Sequence, residues 1–390
     1  MSCLTAIVSG SMVAGAVRAG PVDTLQPGHW YEFPNSRLDS VAAADDPAAN
    51  PNYPGTPPYQ GVEGVSAVLA DWCGAAFNSR DNELIAWCGG HAGYAGNEIY
   101  VFNVAQGQWS RETNPYYAAG VSAANWCSPP HSLNPDGSPA IVHTYDYVEY
   151  NPVANEFIVL GGGQAFPGGS NGCGSTRSVR AYNFTTGQWR LGATRGGDRG
   201  MTSSSSGWDP NRRVIWWLPA GVGYLHAYDP IADTWTQHTR STLPSDHTSA
   251  VDPERDLLVT LEGRDNGEVL VHDLKNPAAR YVAVNIAGDQ TLLTVKAAGF
   301  EWDPVVKKFV GWNALTDRAA VYTLTPPAGD WRTQTWMWQR VGPAPGNTVI
   351  PTERASTKTY SKWRYMPAYN AYILVNRTNE NVFAYKLSAG

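Results

Sequence analysis

WDPNRRVIWWL, running from Trp208 to Leu218, decides the fold, because the same phrase returns along the whole chain. It recurs as FNSRDNELIAW from Phe77, YNPVANEFIVL from Tyr150, VDPERDLLVTL from Val251, WDPVVKKFVGW from Trp302 and YMPAYNAYILV from Tyr365. In each copy an aromatic or apolar residue leads, often followed by Asn or Asp and usually by Pro, with an apolar run a few residues later. Asn or Asp before Pro presets a tight turn, and the β-branched and aromatic run suits a buried strand. Each copy therefore predicts a strand, a turn and a second strand.

After a loop each copy continues into a third strand: IYVFNV at Ile99, VRAYNF at Val179, YLHAYD at Tyr224, EVLVHD at Glu268, AVYTL at Ala320 and VFAYKL at Val382. Three copies then add a turn and a Trp, in AQGQW ending at Trp109, TTGQW at Trp189 and IADTW at Trp235. Repetition of a four-stranded unit predicts an all-β protein, a single β-propeller whose radial sheets leave only short, protected edges. The sixth copy stops at Lys386-Leu387 without a fourth strand, while Gly28-His29-Trp30-Tyr31-Glu32-Phe33 has the character of that missing strand. The expected architecture is six four-stranded blades, the last closed by the N-terminal strand. The competing architecture is a seven-bladed ring with a cryptic blade in 34–70.

Composition agrees. Charged residues are 16% of the chain while Gly, Pro, Trp and Tyr are abundant, which favours short strands and tight turns over amphipathic helices. A formal net charge of −6 provides no general field for nucleic acid or an anionic membrane, so any basic site must be local. Residues 1–19 hold a weakly apolar run ending in Val17-Arg18-Ala19 and are expected to be a signal peptide, with 20–390 the propeller domain and a secreted or periplasmic destination. No later segment is long and apolar enough to span a bilayer. Removing the leader removes Cys3 and leaves Cys73, Cys88, Cys127 and Cys173, an even number for an oxidising compartment. Pairing Asn78 with Glu83 across the turn sets Cys73 opposite Cys88, where a cross-strand bridge fits, and Cys127 would then pair with Cys173.

In this topology the loops after second strands and before first strands emerge on one face. His91 follows Gly89-Gly90, and His143 lies near the start of the next blade in VHTYDYVEYNP. Arg199, His247, Arg264, Arg354 and Arg377 are expected on the same face. A collar of Arg and His in an acidic chain points to a local site for a carboxylate or sulfate, since the guanidinium fork matches such groups. The alternative is that these cations pair with the neighbouring Asp198, Asp246, Asp265 and Glu353. His91, His143 and His247 could also ligate one divalent ion, three imidazoles being enough for an open catalytic site. For a glycoside hydrolase, Glu98, Asp198, Asp246 and Glu262 are present, but no spacing singles out an opposed pair.

The double glycines at Gly89-Gly90 and Gly161-Gly162-Gly163, with the Tyr/Phe-Asn and Gly-Gln-Trp elements, resemble kelch repeats of the galactose-oxidase-like superfamily, most strongly in the first two blades. The segments GGHAGYAGNEIY and HTY…YNP look like those of exported bacterial propellers, and the His, Tyr and Arg inventory is similar in kind to propeller-fold polysaccharide lyases such as the ulvan lyases. No metal-radical oxidase constellation accompanies them. The resemblance implies β-elimination on a uronate-containing, anionic polysaccharide. His91 or His143 would be the base, Tyr145 or Tyr94 the proton donor, and Arg199 with Arg264 or Arg354 the carboxylate binders. The other function class is a noncatalytic carbohydrate- or protein-binding propeller.

Overall fold

The computed structural model describes residues 20–117, 133–163, 176–196, 202–263 and 267–389. The leader, Cys127, Cys173, Asp198, Arg199, Arg264 and Asp265 lie outside these residues. Six sheets, each built on four antiparallel strands, are arranged as blades, as the repeat predicts. Their first strands are Ala75–Asn78, Val148–Asn151, Ser205–Asp209, Thr248–Asp252, Gly299–Asp303 and Trp363–Met366. Each pairs with the strand that follows it, and the first strands of adjacent blades pack side by side.

The recurring Asn or Asp works by capping its own turn. Asp209 Oδ1 accepts the backbone N–H of Asn211 and Arg212, and Asp252 and Asp303 repeat the arrangement with the two residues beyond their prolines. Each turn then closes on a left-handed residue: Asn82, Asn155, Arg213, Asp256, Lys307 or Asn370, all with φ between 45° and 58°. Blade six has Met366 where the others have Asn or Asp, and its turn is a short 3-10 segment, Pro367–Tyr369.

The Trp of the fourth strand latches its blade to the preceding structure. Trp235 Nε1 donates to Ala193 O of blade two, and Trp109 Nε1 to Ser36 O of the N-terminal segment. Closure follows the same rule. Trp30–Glu32 pairs antiparallel with Phe383–Tyr385, with Trp30 opposite Tyr385, and Trp30 Nε1 donates to Ala319 O of blade five. The Trp30 ring packs 4.8 Å from Tyr385 and 5.8 Å from Trp363, so the chain ends are joined by packing as well as backbone pairing.

Six blades, not seven, fill the ring, and 34–70 contributes none. That segment forms 3-10 turns at Leu38–Val41, Ala43–Asp45 and Gly64–Ser66 and a single helical turn at Ala67–Ala70. It wraps blade one: Ala43 N donates to the Tyr100 hydroxyl, and Arg111 donates to Val41 O. Blades four and five, whose copies lack the closing turn-and-Trp element, have irregular outer edges. Blade four ends in the two-residue strand Val282–Ala283, and blade five gains a parallel edge strand, Ile286–Gly288. No helix among the described residues is long and apolar enough to cross a membrane.

Cys73 and Cys88 form a disulfide with Cα atoms 5.7 Å apart, on the Asn78–Glu83 register read from the sequence.

Candidate functional site

Two or three residues ahead of each first strand stands one residue with left-handed backbone: Trp72, Tyr145, Ser203, Asp246, Ala297 and Tyr360, with φ from 44° to 66°. For side chains as bulky as Trp72, Tyr145 and Tyr360 this conformation is costly, on the order of 1–3 kcal/mol each, and persists only where surrounding contacts impose it. Here the contacts are backbone bonds between neighbouring blades. Tyr145 N donates to Trp72 O, Ala297 N to Asp246 O and Tyr360 N to Ala297 O, at 2.7 to 2.9 Å. The strained residues thus form a collar at one end of the central channel, and the fold spends stability to place them there.

On this collar the structure assembles a connected set of rings. His143 lies 5.2 Å from Trp72, 6.0 Å from His91 and 5.8 Å from Tyr145, centroid to centroid. Tyr145 meets Tyr360 edge-on at 5.6 Å. The Tyr360 hydroxyl donates to Asp246 Oδ1 at 2.7 Å, and Lys358 Nζ holds Asp246 Oδ2 at 2.9 Å. His91, itself left-handed at φ 48°, is exposed, whereas His143 is 2% exposed. The disulfide lies directly behind this set. Cys73 follows Trp72 and Cys88 is three residues before His91, so one covalent bond ties two of the loops that carry it.

Burial, reinforced by repulsion from His91, pushes the His143 pKa down to about 3, so its imidazole is neutral at working pH. Its Nδ1 is 3.4 Å from the Tyr145 hydroxyl, and its buried Nε2 has no hydrogen-bond partner among the described residues. A neutral ring with one nitrogen facing a phenol and the other unsatisfied is chemically incomplete, since a buried polar atom without a partner costs about 1–3 kcal/mol. Burial, with the charges of Asp246 and Asp71, raises the Tyr145 phenol above its usual range. Asp246 sits below the ordinary carboxylate range although burial opposes ionisation, because Lys358 and Tyr360 bond to it. Burial and the neighbouring Glu63 raise Asp71 to about 7. Burial, with repulsion from Arg354 and Arg377, lowers Lys362 to about 7, its Nζ donating to Leu69 O.

The other expected residues divide. Arg354 is electrostatically coupled to Tyr360 and Asp246, while its Nη1 donates to Lys296 O. Arg377 lies next to it, bonded to Arg354 O, Glu353 O and Glu380. Tyr94 is not offered to the collar. It is fully buried, edge-on to Tyr59, with its hydroxyl donating to Glu98, which also takes the Tyr100 hydroxyl. His247 is fully buried between two backbone carbonyls, Pro244 O and Leu218 O, so no face remains for substrate. For the same reason His91, His143 and His247 do not assemble into a metal site, and no group of three potential ligands occurs among the described residues.

No family model matches the chain, and no curated protein matches it. Among solved structures it is similar to a structural genomics protein of unknown function from Bacteroides thetaiotaomicron, with 9% identity, a TM-score of 0.48, and coverage of 92% of this chain and 75% of that one. Its chemistry is therefore read from the collar.

Sequence reasoning missed Trp72, Lys358 and Tyr360, and took Asp246 only as a partner for cations or a stray carboxylate. A signal was present. Placing the six copies in register and reading two or three residues ahead of each first strand picks out Trp72, Tyr145, Ser203, Asp246 and Tyr360 at equivalent positions.

Proposed function

We propose that this propeller is a secreted, kelch-type, carbohydrate-active protein that cleaves a uronate-containing polysaccharide by β-elimination at the collar around His91, His143 and Tyr145. The observation that carries the reading is the coupled His143–Tyr145 pair beside an exposed second imidazole. A neutral imidazole accepts a proton and a phenol kept protonated donates one, the two transfers that β-elimination needs. His91, which solvent can reach, takes the C5 proton. The electron pair left on C5 forms the C4–C5 double bond, the C4–O bond breaks, and the departing oxygen takes the Tyr145 proton, with His143 orienting the phenol. Arg354, coupled to Tyr360 and Asp246, supplies the positive charge that neutralises the substrate carboxylate in this reading, which lowers the cost of removing the adjacent proton. The half-buried Trp72 offers a ring against which a sugar can stack. The leader-like segment and the Cys73–Cys88 bridge support the export part of this reading.

The test is a panel of uronate polysaccharides monitored for the ultraviolet absorbance of unsaturated products. Turnover should fall by roughly 10²–10⁴ in His91→Ala and Tyr145→Phe with the fold retained. Saturable polysaccharide binding without unsaturated products would move the chain to the noncatalytic carbohydrate-binding class. Undiminished turnover in His91→Ala would remove it from the mechanism.

A further inference from the structure

The end of the channel opposite the collar is a second built site. All first strands run in the same direction, so their C-terminal ends and the Pro-bearing turns surround this opening, where a cavity of about 300 Å³ enters the ring. Its wall is the leading residue of the repeated phrase, one from each blade: Phe77, Tyr150, Trp208, Val251, Trp302 and Tyr365. One residue deeper, the equivalent positions are Ala76, Glu149, Gly207, Ala250, Glu301 and Arg364, so three blades present small residues and three present charges.

Charge on this floor does not balance. Arg364 is the guanidinium that faces Glu149, Glu301 and, deeper, Asp146. Its nitrogens are already committed, Nη1 to Glu301 Oε1 at 2.8 Å, Nε to Ala75 O and Nη2 to Val148 O. It therefore has no fork left for an incoming anion. Glu149 Oε1 takes the Ser206 hydroxyl, and its Oε2 lies 3.7 Å from Arg364. Three carboxyl groups around one arginine leave the floor short of positive charge, and five aromatic residues wall the space above it. Carboxylates below aromatic walls in a small apolar cup form the chemistry that takes alkylated ammonium ions, through ring quadrupoles and a counter-charge at depth.

We propose that this cup binds a small organic cation, a protonated or methylated amine, with its alkyl groups against the wall residues and its charge toward Glu149 and Glu301. The site is separate from the collar and independent of the lyase reading. A volume of about 300 Å³ is at the lower limit for small-molecule pockets, which suits a few-carbon ammonium ion. Binding is linked to protons. Burial raises Asp146, Glu149 and Glu301, the last to about 7 with help from Glu149, so without a ligand they share protons where a cation would otherwise sit. The titratable groups lining the cup are Glu149, Glu301, Arg364 and the phenols of Tyr150 and Tyr365, which burial keeps protonated, with Asp146 deeper against Arg364; the lining residues from blades one, three and four carry none. A bound cation displaces protons, and its affinity rises with pH up to neutrality, by at most about tenfold per unit for each proton released.

The experiment is calorimetric titration of the full chain with tetramethylammonium chloride, paralleled by quenching of tryptophan fluorescence, with neutral tert-butanol as the uncharged comparator. Expected are one saturable site per chain, weaker binding at pH 5.5 than at pH 7.5, and affinity reduced roughly three- to thirtyfold in Trp208→Ala. Glu301→Gln should weaken the cation without strengthening tert-butanol. Trp208 is half-buried and bonds to no other blade among the described residues, so its variant keeps the test meaningful if Glu301→Gln misfolds. Absence of saturable binding by the folded protein at millimolar probe overturns the proposal. So does tert-butanol binding as tightly as the cation, which would make the cup merely apolar.

Discussion

Replacing His143 by Phe tests directly whether the collar holds a neutral, buried imidazole. The folded-state pKa is about 3, against about 6.5 in an unfolded chain. The sign follows from linkage: the folded state is the poorer proton binder, so the stability associated with a neutral His143 is present above pH 6.5 and is lost as pH falls towards 3. Between pH 7 and pH 5 the unfolded imidazole becomes almost fully protonated while the folded one does not, a loss of about 2 kcal/mol. Absolute profiles will not reveal this. His272, also held near 3, adds a loss of the same sign, whereas Asp71 and Glu301, raised to about 7, gain stability on acidification. The difference between two proteins does reveal it, because those groups are common to both. Urea unfolding followed by tryptophan fluorescence at pH 7 and pH 5 should show the wild type losing about 2 kcal/mol more than His143→Phe over that interval. Phe keeps a ring against Trp72 and Tyr145, and any packing strain it introduces is the same at both pH values. If the variant loses as much stability on acidification as the wild type, His143 is not held neutral by burial, and its pairing with Tyr145 loses its physical basis.

Two further predictions concern the frame around the collar. Replacing Cys73 and Cys88 together by Ser should cost about 3 kcal/mol, the chain-entropy value for a closed loop of 15 residues, measured as the fall in urea unfolding free energy; an unchanged value would show that the bridge constrains nothing. Trp30→Ala should cost about 3–5 kcal/mol, because the ring is 4% exposed, joins blades five and six and forms part of the only link between the chain ends among the described residues. Unfolding at wild-type stability in Trp30→Ala would mean the ring is not closed at that blade.

The fold was legible because the propeller writes each blade in local chemistry. Asp209, Asp252 and Asp303 cap turns that can be read from two adjacent letters, and the position of Trp30 follows from asking which strand the sixth copy lacks. Even the Cys73–Cys88 pairing is local, since the register of one hairpin fixes it. The site was legible only in part, because it is gathered by geometry around the ring. Strand direction predicts that His91 and His143 meet on one face, and their rings lie 6.0 Å apart. It could not tell which polar residues on that face would be consumed by the backbone, as His247 is by Pro244 and Leu218, or sink into a blade, as Tyr94 does beneath Glu98. Burial depends on what packs above a residue, here the 34–70 segment that supplies Tyr59, and that partner is remote in sequence.

The channel has two chemically opposed ends because one side chain divides it. Arg364 reaches from blade six to Ala75 O in blade one, Val148 O in blade two and Glu301 in blade five, closing the space between the collar and the cup. A first strand of four or five residues separates the ends, roughly 13–17 Å at the usual rise. Sites that far apart contribute nearly additively to stability and to binding except through partners they share. Loss of function at His91 therefore leaves an intact reading at Trp208, and the reverse also holds. The exception is Arg364 itself: it anchors the first strands of two neighbouring blades while also serving as the counter-charge of the floor. Together with Asp146, which follows Tyr145, acts on Tyr360 and faces Arg364, it is a residue whose removal should disturb both ends at once.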